Sequence, residues 1–168
     1  MIAYDLRLSK DSDLQELMRI SAQARARYKT IPSLAHVADS PPLSADRFQV
    51  CRVVVAVDQS SDEIIGFAAS RLLDGLLYLD NISVDPCASG NGIGTALLCS
   101  VVAYARDIPV QGVSLTTFRE PLWNGPWFRK QGFGPMPDAH IGDGLRSVMD
   151  RQSLTFSPAT RETLWRLL

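Results

Sequence analysis

Val84-Asp85-Pro86-Cys87-Ala88-Ser89-Gly90-Asn91-Gly92-Ile93-Gly94-Thr95-Ala96-Leu97-Leu98 is the stretch whose reading decides the fold. Ahead of it, Leu76-Leu77-Tyr78-Leu79, Ile82 and Val84 have the length and residue types of a buried strand. Behind it, Ile93, Ala96, Leu97, Ser100, Val101 and Tyr104 recur at the helical period, which predicts a helix that starts within the glycines. Pro86 ends the strand by withholding a ladder donor, while Gly90, Gly92 and Gly94 permit positive φ and leave no Cβ over the main chain. The first N–H groups of a helix lack internal partners and the dipole is positive there, so the turn suits a phosphate or pyrophosphate. The same glycines also fit a turn that only packs a helix on a sheet.

Working outward, residues 113–118 form a fresh apolar strand after the helix. Strand, turn, helix and strand make a βαβ unit, so the two strands should be parallel. Upstream, two β-branched runs at 52–57 and 64–71 flank a polar segment and read as an antiparallel hairpin. Ile2, Tyr4, Leu6 and Leu8 alternate with polar or small residues, the pattern of a half-buried first strand. Ser12 with Gln15 matches a capping box, and Leu14, Leu17, Met18, Ser21 and Ala22 form the apolar face of a first helix. Arg25, Arg27 and Lys29 surround Tyr28 as a solvated, dipole-compatible helix end. Residues 30–43, with Pro32, Pro41 and Pro42, form the longest irregular segment, and residues 44–49 a short helix. Near the carboxyl end, residues 142–152 read as a helix and 160–168 as a last strand.

With 168 residues, 46% of them hydrophobic, the chain suffices for one core and one domain, residues 1–168. A net charge of −1 without blocks of like charge argues against nucleic acid or an anionic membrane as the main partner. No apolar run approaches membrane-spanning length and residues 1–9 lack a signal-peptide layout, so a cytoplasmic protein is expected. Three cysteines without paired spacing argue against disulfides and structural zinc. Cys51 and Cys99 read as small core residues and Cys87 as a loop thiol. His36 and His140 have no ligand spacing, and no metal is expected.

Two familiar phosphate loops fail: there is no lysine after Gly94, and position 95 is not glycine. The stretch instead resembles the acyl-CoA loop of the GNAT superfamily of N-acetyltransferases at Val84, Pro86, Gly90, Gly92, Ile93, Gly94, Leu97 and Leu98. It departs at Ser89, where that family usually carries Gln or Arg. A second family signature is matched at Asn124, Gly132 and Phe133, with Phe128 in the aromatic position. The resemblance implies a mixed α/β fold of about seven strands flanked by helices, with a splayed parallel pair at the centre. Its last two strands, near Phe133 and Thr163, would pair antiparallel.

The resemblance further implies acetyl-CoA as cosubstrate. Its pyrophosphate would lie over Ser89, Gly90, Asn91, Gly92, Ile93, Gly94 and Thr95. Its pantetheine would run along Ile82, Ser83 and Val84, with Asn124, Phe128 and Lys130 on the cofactor side. The backbone N–H of Val84 or Ile82 would polarise the thioester. An amine acceptor is about 0.1% neutral at pH 7, so a base is required. Asp80 is the first candidate and Glu120 the second. Phe128 replaces the usual proton-donating tyrosine, which leaves solvent, Tyr78 or Tyr28 to protonate the thiolate. Tyr28, Asp80, Thr117 and Arg119 are the expected acceptor-side residues, under a lid formed by residues 28–46. The expected activity is acetyl transfer to a primary amine of a small molecule, a polyamine, amino sugar or amino acid derivative, by direct attack in a ternary complex. The alternative is an acyl-CoA-binding sensor or partner domain without turnover. Either a monomer or a homodimer is compatible.

Overall fold

The computed structural model describes all 168 residues, Met1–Leu168. Seven strands form one sheet in the order β1-β2-β3-β4-β5-β7-β6, with five α-helices between them. The strands are β1 (Tyr4–Leu8), β2 (Arg52–Asp58), β3 (Ile64–Leu73), β4 (Leu76–Val84), β5 (Gly112–Phe118), β6 (Gly134–Pro135) and β7 (Arg161–Leu167). The helices are α1 (Leu14–Ala26), α2 (Ala45–Gln49), α3 (Ile93–Arg106), α4 (Gly125–Lys130) and α5 (Asp143–Ser153). By its internal packing the chain divides into two units, Met1–Arg71 with Asn81–Val101, and Leu72–Asp80 with Val102–Leu168.

In the first unit, β2 and β3 form the antiparallel hairpin expected from their β-branched runs, with Val53 opposite Ala69 and Val55 opposite Phe67. Their shared face buries Val53, Val55, Val57, Phe67 and Ala69 against Leu17 and Ile20 of α1 and Phe48 of α2. Phe48 meets Phe67 edge-on at 5.3 Å between ring centroids. Each large side chain so buried contributes about 1.5–3 kcal/mol. Ile20 belongs to the α1 face, whereas Ala22, expected there, is exposed.

The amino-terminal readings need two corrections. The cap is not Ser12, which sits in a 3₁₀ turn (Asp11–Asp13); the Asp13 carboxylate accepts the Lys10 N–H at 2.7 Å and the Arg7 guanidinium at 2.7 Å. β1 is the sheet's edge, paired to β2 alone, and its burial does not follow the expected alternation: Leu6 and Leu8 are 37% and 57% exposed while Arg7 between them is half-buried. Residues 30–43 are less irregular than their prolines suggested, since 3₁₀ turns occupy Arg27–Thr30 and Pro32–Asp39.

In the second unit, β4 and β5 run parallel, as the βαβ reading requires, but their ladder pairs only Leu77 with Val113 and Tyr78 with Ser114. β7 then pairs antiparallel with β5 along its whole length, and with β6 at Gly134 and Pro135. The helix expected at 142–152 is α5, whose Leu145 and Val148 pack with Leu76, Tyr78, Met136 and Ile141. Its first turn is capped by Asp74, whose carboxylate accepts the Gly144 N–H at 3.1 Å and the Leu145 N–H at 2.8 Å. Asp74 itself holds φ +53° in the β3–β4 turn.

Candidate functional site

The glycine turn belongs to the first unit, and its base is tightly fastened. Where β4 ends, the Asp85 N–H donates to the Ile65 carbonyl at 2.8 Å. One carboxylate oxygen of Asp85 accepts the Cys87 N–H at 2.9 Å, and the other accepts Arg19 of α1 at 3.1 Å. Arg19 also pairs with Glu16 at 2.8 Å. Asn91 folds its side chain back onto the turn, donating to the Ala88 carbonyl at 3.0 Å and accepting the Ile2 N–H at 3.1 Å. These bonds hold the loop from below and leave its upper surface to the main chain.

On that surface Gly90 and Gly92 adopt φ +84° and +77°, a region L side chains rarely enter, and no atom lies within 4 Å of where a Cβ would stand. The helix first closes on itself at Ala96, whose N–H donates to the Gly92 carbonyl at 3.0 Å. The amides of residues 90–95 precede that closure and donate to no other group of the protein, so they collect at the positive end of α3. Gly94, expected to share the positive φ, instead lies inside α3. The packing role of glycine belongs elsewhere: a Cβ on Gly66 would stand 3.1 Å from the Ser83 carbonyl and 3.2–3.3 Å from Ile93 and Leu97. Cys87 is exposed, as is Cys99, which lies opposite the buried Ile93, Leu97 and Val101 side of α3 and so is not the core residue expected. Ser89 is exposed, its hydroxyl 3.5 Å from the Asp85 carbonyl.

Along β4, burial continues through Leu79 and relaxes to half-exposure at Asp80, Asn81 and Ile82, just beyond the short ladder with β5. Ser83 is buried and donates to the Asn81 side chain at 2.6 Å, and Val84 is half-buried. In the second unit, Arg119 and Glu120 follow β5 and are exposed, with Arg119 3.9 Å from Glu162. Thr117 is 4% exposed and points to the opposite face of β5 from Thr116. Asn124 precedes α4 and its carbonyl accepts the Phe128 N–H at 3.0 Å. The Phe128 ring is buried edge-on between Trp127 and Phe133, while Lys130 is exposed.

Tyr28, in the first unit, is half-buried in the turn that follows α1. The basic cluster around it is not uniformly solvated: burial pushes the Arg25 guanidinium below its ordinary pKa, with Tyr28 opposing the shift. The Tyr78 ring is fully buried and its hydroxyl lies 3.3 Å from that of Thr116. No group of three or more His, Cys, Asp or Glu side chains converges as metal ligands would. No helix is long and apolar enough to cross a membrane. The sequence reading missed one cluster, Thr116, Gln152 and Arg161, because its members lie far apart in the chain and meet only through strand pairing.

A seven-stranded sheet with a short parallel pair, and an open glycine turn heading the helix between those strands, define an acetyltransferase fold. The chain belongs to the GNAT acetyltransferases: the family model for the acetyltransferase (GNAT) domain matches residues 49–135, more than half of the chain. Among solved structures it is similar to the PaiA N-acetyltransferase of Thermoplasma acidophilum in complex with coenzyme A. There the TM-score is 0.71 at 14% identity, over 99% of this chain and 100% of that one. It is similar to the ribosomal-protein-S18-alanine N-acetyltransferase of Escherichia coli, with TM-score 0.64 and 18% identity over 80% of each chain. N-acetylglutamate synthase of Neisseria gonorrhoeae, complexed with coenzyme A and N-acetyl-glutamate, gives TM-score 0.71 at 17% identity, over all of this chain and 36% of that one.

Proposed function

We propose that this protein, as one domain of residues 1–168, transfers the acetyl group of acetyl-CoA to a primary amine of a small molecule by direct attack in a ternary complex. The observation that carries the reading is the run of unengaged amides at residues 90–95 under two glycines whose Cβ positions are open. A diphosphate supplies the acceptor oxygens such amides require. Coenzyme A in the PaiA and N-acetylglutamate synthase structures supports the same choice of ligand.

In this reading Ile82, Ser83 and Val84 hold the pantetheine arm by main-chain groups. Ser89 offers a hydroxyl to the phosphates, and Asn124, Phe128 and Lys130 complete the cofactor side. Bound acetyl-CoA supplies a thioester whose carbonyl carbon accepts the amine. Asp80, half-exposed where β4 leaves its ladder, takes the proton of the incoming ammonium, directly or through water, with Glu120 as the second candidate. The leaving thiolate takes its proton from solvent: Phe128 has none to give, and the Tyr78 hydroxyl is turned to Thr116. Tyr28, Thr117 and Arg119 complete the acceptor side.

Calorimetry with coenzyme A and isotopic acetyl transfer to a panel of amines test the proposal together. Binding with turnover, and a loss of kcat in Asp80→Asn of about a hundredfold or more, is the expected result. Binding without transfer to any amine, unchanged by the substitution, would favour a sensor or partner domain. No binding at all would remove both readings.

A further inference from the structure

The free side of β1 lacks the devices that keep an edge strand from pairing. The sheet's other edge, β6, is a two-residue strand ending in Pro135, which has no N–H to offer. β1 is five residues long, Tyr4-Asp5-Leu6-Arg7-Leu8, holds no proline or lysine and runs in unbroken register with β2.

Which of its main-chain groups are free follows from that register. The Ser9 N–H donates to the Val53 carbonyl at 2.9 Å and the Gln59 N–H to the Ala3 carbonyl at 3.0 Å, so residues 3 and 9 turn their bonding groups toward β2. Bonded and non-bonded pairs alternate in an antiparallel ladder, so Asp5 and Arg7 also bond inward. The N–H and C=O groups of Tyr4, Leu6 and Leu8 therefore point out of the sheet. The Leu8 carbonyl accepts Arg7 Nη1 at 3.0 Å and keeps a second lone pair.

The side chains divide in the same way. Leu6 and Leu8 stand beside Ala56 and Val54 on one face and are 37% and 57% exposed. Asp5 and Arg7 stand beside Val57 and Val55 on the face that α1 covers. Asp5 is exposed, and Arg7 is paired with Asp13.

We propose that β1 is a homodimer interface, at which a second copy of this chain adds its own β1 antiparallel across a two-fold axis at Leu6, so that one sheet runs through both molecules. Charge selects the register. Centring the pair on Asp5 or on Arg7 sets like charges directly opposite, which destabilises a ladder. Centring on Leu6 uses the whole strand: Asp5 meets Arg7 of the second copy, Leu6 meets Leu6 and Tyr4 meets Leu8. The last two kinds of pair exchange the outward N–H and C=O bonds. The exposed leucines then cover each other on one face, and on the other Asp5 adds a second carboxylate beside the Arg7 guanidinium. Because the contact is isologous it closes on itself and leaves no free β1 edge.

Sedimentation equilibrium at micromolar concentrations tests this with wild type, Leu6→Lys, Leu6→Glu and an equimolar mixture of the two variants, each checked for folding by thermal denaturation. Wild type should sediment at twice the chain mass. Either variant alone sets like charges opposite each other at the two-fold axis and should raise the dissociation constant by about tenfold or more. The mixture should restore association, because the facing charges are then of opposite sign. Should a Leu6 variant fail to fold, Asp5→Lys at its exposed position repeats the test by setting a cation opposite Arg7: a weakened dimer upholds the proposal and an unchanged one overturns it. A wild-type chain that stays single overturns the proposal and leaves the edge to an extended segment of another protein. A dimer indifferent to both Leu6 variants, or one that the mixture fails to restore, overturns it as well, because the contact then lies elsewhere or in another register.

Discussion

Gly92 and Gly66 are both glycines for physical reasons, but the reasons differ, and exchanging each for alanine separates them. Gly92 sits at φ +77° with open space where a Cβ would stand, so Gly92→Ala meets no atom and costs only backbone strain, about 1–2 kcal/mol. For a chain of this size that lowers Tm by roughly 2–8 °C. The methyl, however, projects from the surface formed by the amides of residues 90–95, and losing one hydrogen bond to a charged phosphate costs about 1.5–3 kcal/mol, or roughly ten- to 150-fold in affinity. Gly66→Ala presses a methyl to 3.1 Å from the Ser83 carbonyl and 3.2 Å from Ile93, an overpacking worth about 1–3 kcal/mol of stability. Its coenzyme A affinity should stay close to that of wild type. Differential scanning calorimetry and titration with coenzyme A read the two quantities separately. Wild-type affinity in Gly92→Ala would refute the assignment of the turn to ligand, and a larger loss in Gly66→Ala than in Gly92→Ala would show that packing, not access to the main chain, sets the affinity.

Arg19→Ala leaves the buried Asp85 carboxylate without its cation, and should cost about 1–3 kcal/mol in thermal denaturation while raising KM for acetyl-CoA more than it lowers kcat. Asp74→Ala removes the cap from two α5 amides and should cost about 0.5–2 kcal/mol, whereas Asp74→Gly, which relieves φ +53°, should change the melting temperature less than the cap loss alone implies. The Arg7 guanidinium, through its hydrogen bond, holds the Asp13 carboxyl below its ordinary pKa against the opposing cost of burial. That pair therefore stabilises the fold above the unfolded-state value of about 3.9 and ceases to do so as pH falls through the lowered folded value. Asp13→Asn should accordingly flatten the acid limb of a stability-versus-pH curve and leave its shape above pH 5 unchanged, as followed by urea denaturation at each pH.

The central part of the fold was legible because each signal there is local. Pro86 and the glycines end a strand and start a helix within ten residues, and the apolar runs at 76–84 and 113–118 make the parallel pair almost unavoidable. What sequence could not supply was whether a given face is covered. Leu6 and Leu8 alternate with polar residues, yet they stay exposed and Arg7 between them is half-buried, held to Asp13. Cys99 has apolar neighbours in sequence, but on α3 it points away from Ile93 and Leu97. Ser12 suits a cap by residue type, but it is the Asp13 carboxylate that takes the Lys10 N–H and the Arg7 guanidinium. The glycine turn was readable in the sequence, whereas the cluster of Thr116, Gln152 and Arg161 was not. No spacing rule joins residues 116, 152 and 161; β5 and β7 bring them together by pairing Thr116 with Thr163 and Phe118 with Arg161.

The loop fastened from below by Asp85 and Asn91 presents peptide groups rather than side chains, and such a surface has unusual tolerance. A saturation library across residues 84–98 should be unforgiving at Gly90 and Gly92, where handedness of the backbone is at stake, and more permissive at Ser89, whose hydroxyl adds only one bond to the donors every residue carries. Recognition built this way can survive wholesale exchange of the surrounding residue types, since the chain's curvature, not its lettering, makes the contact.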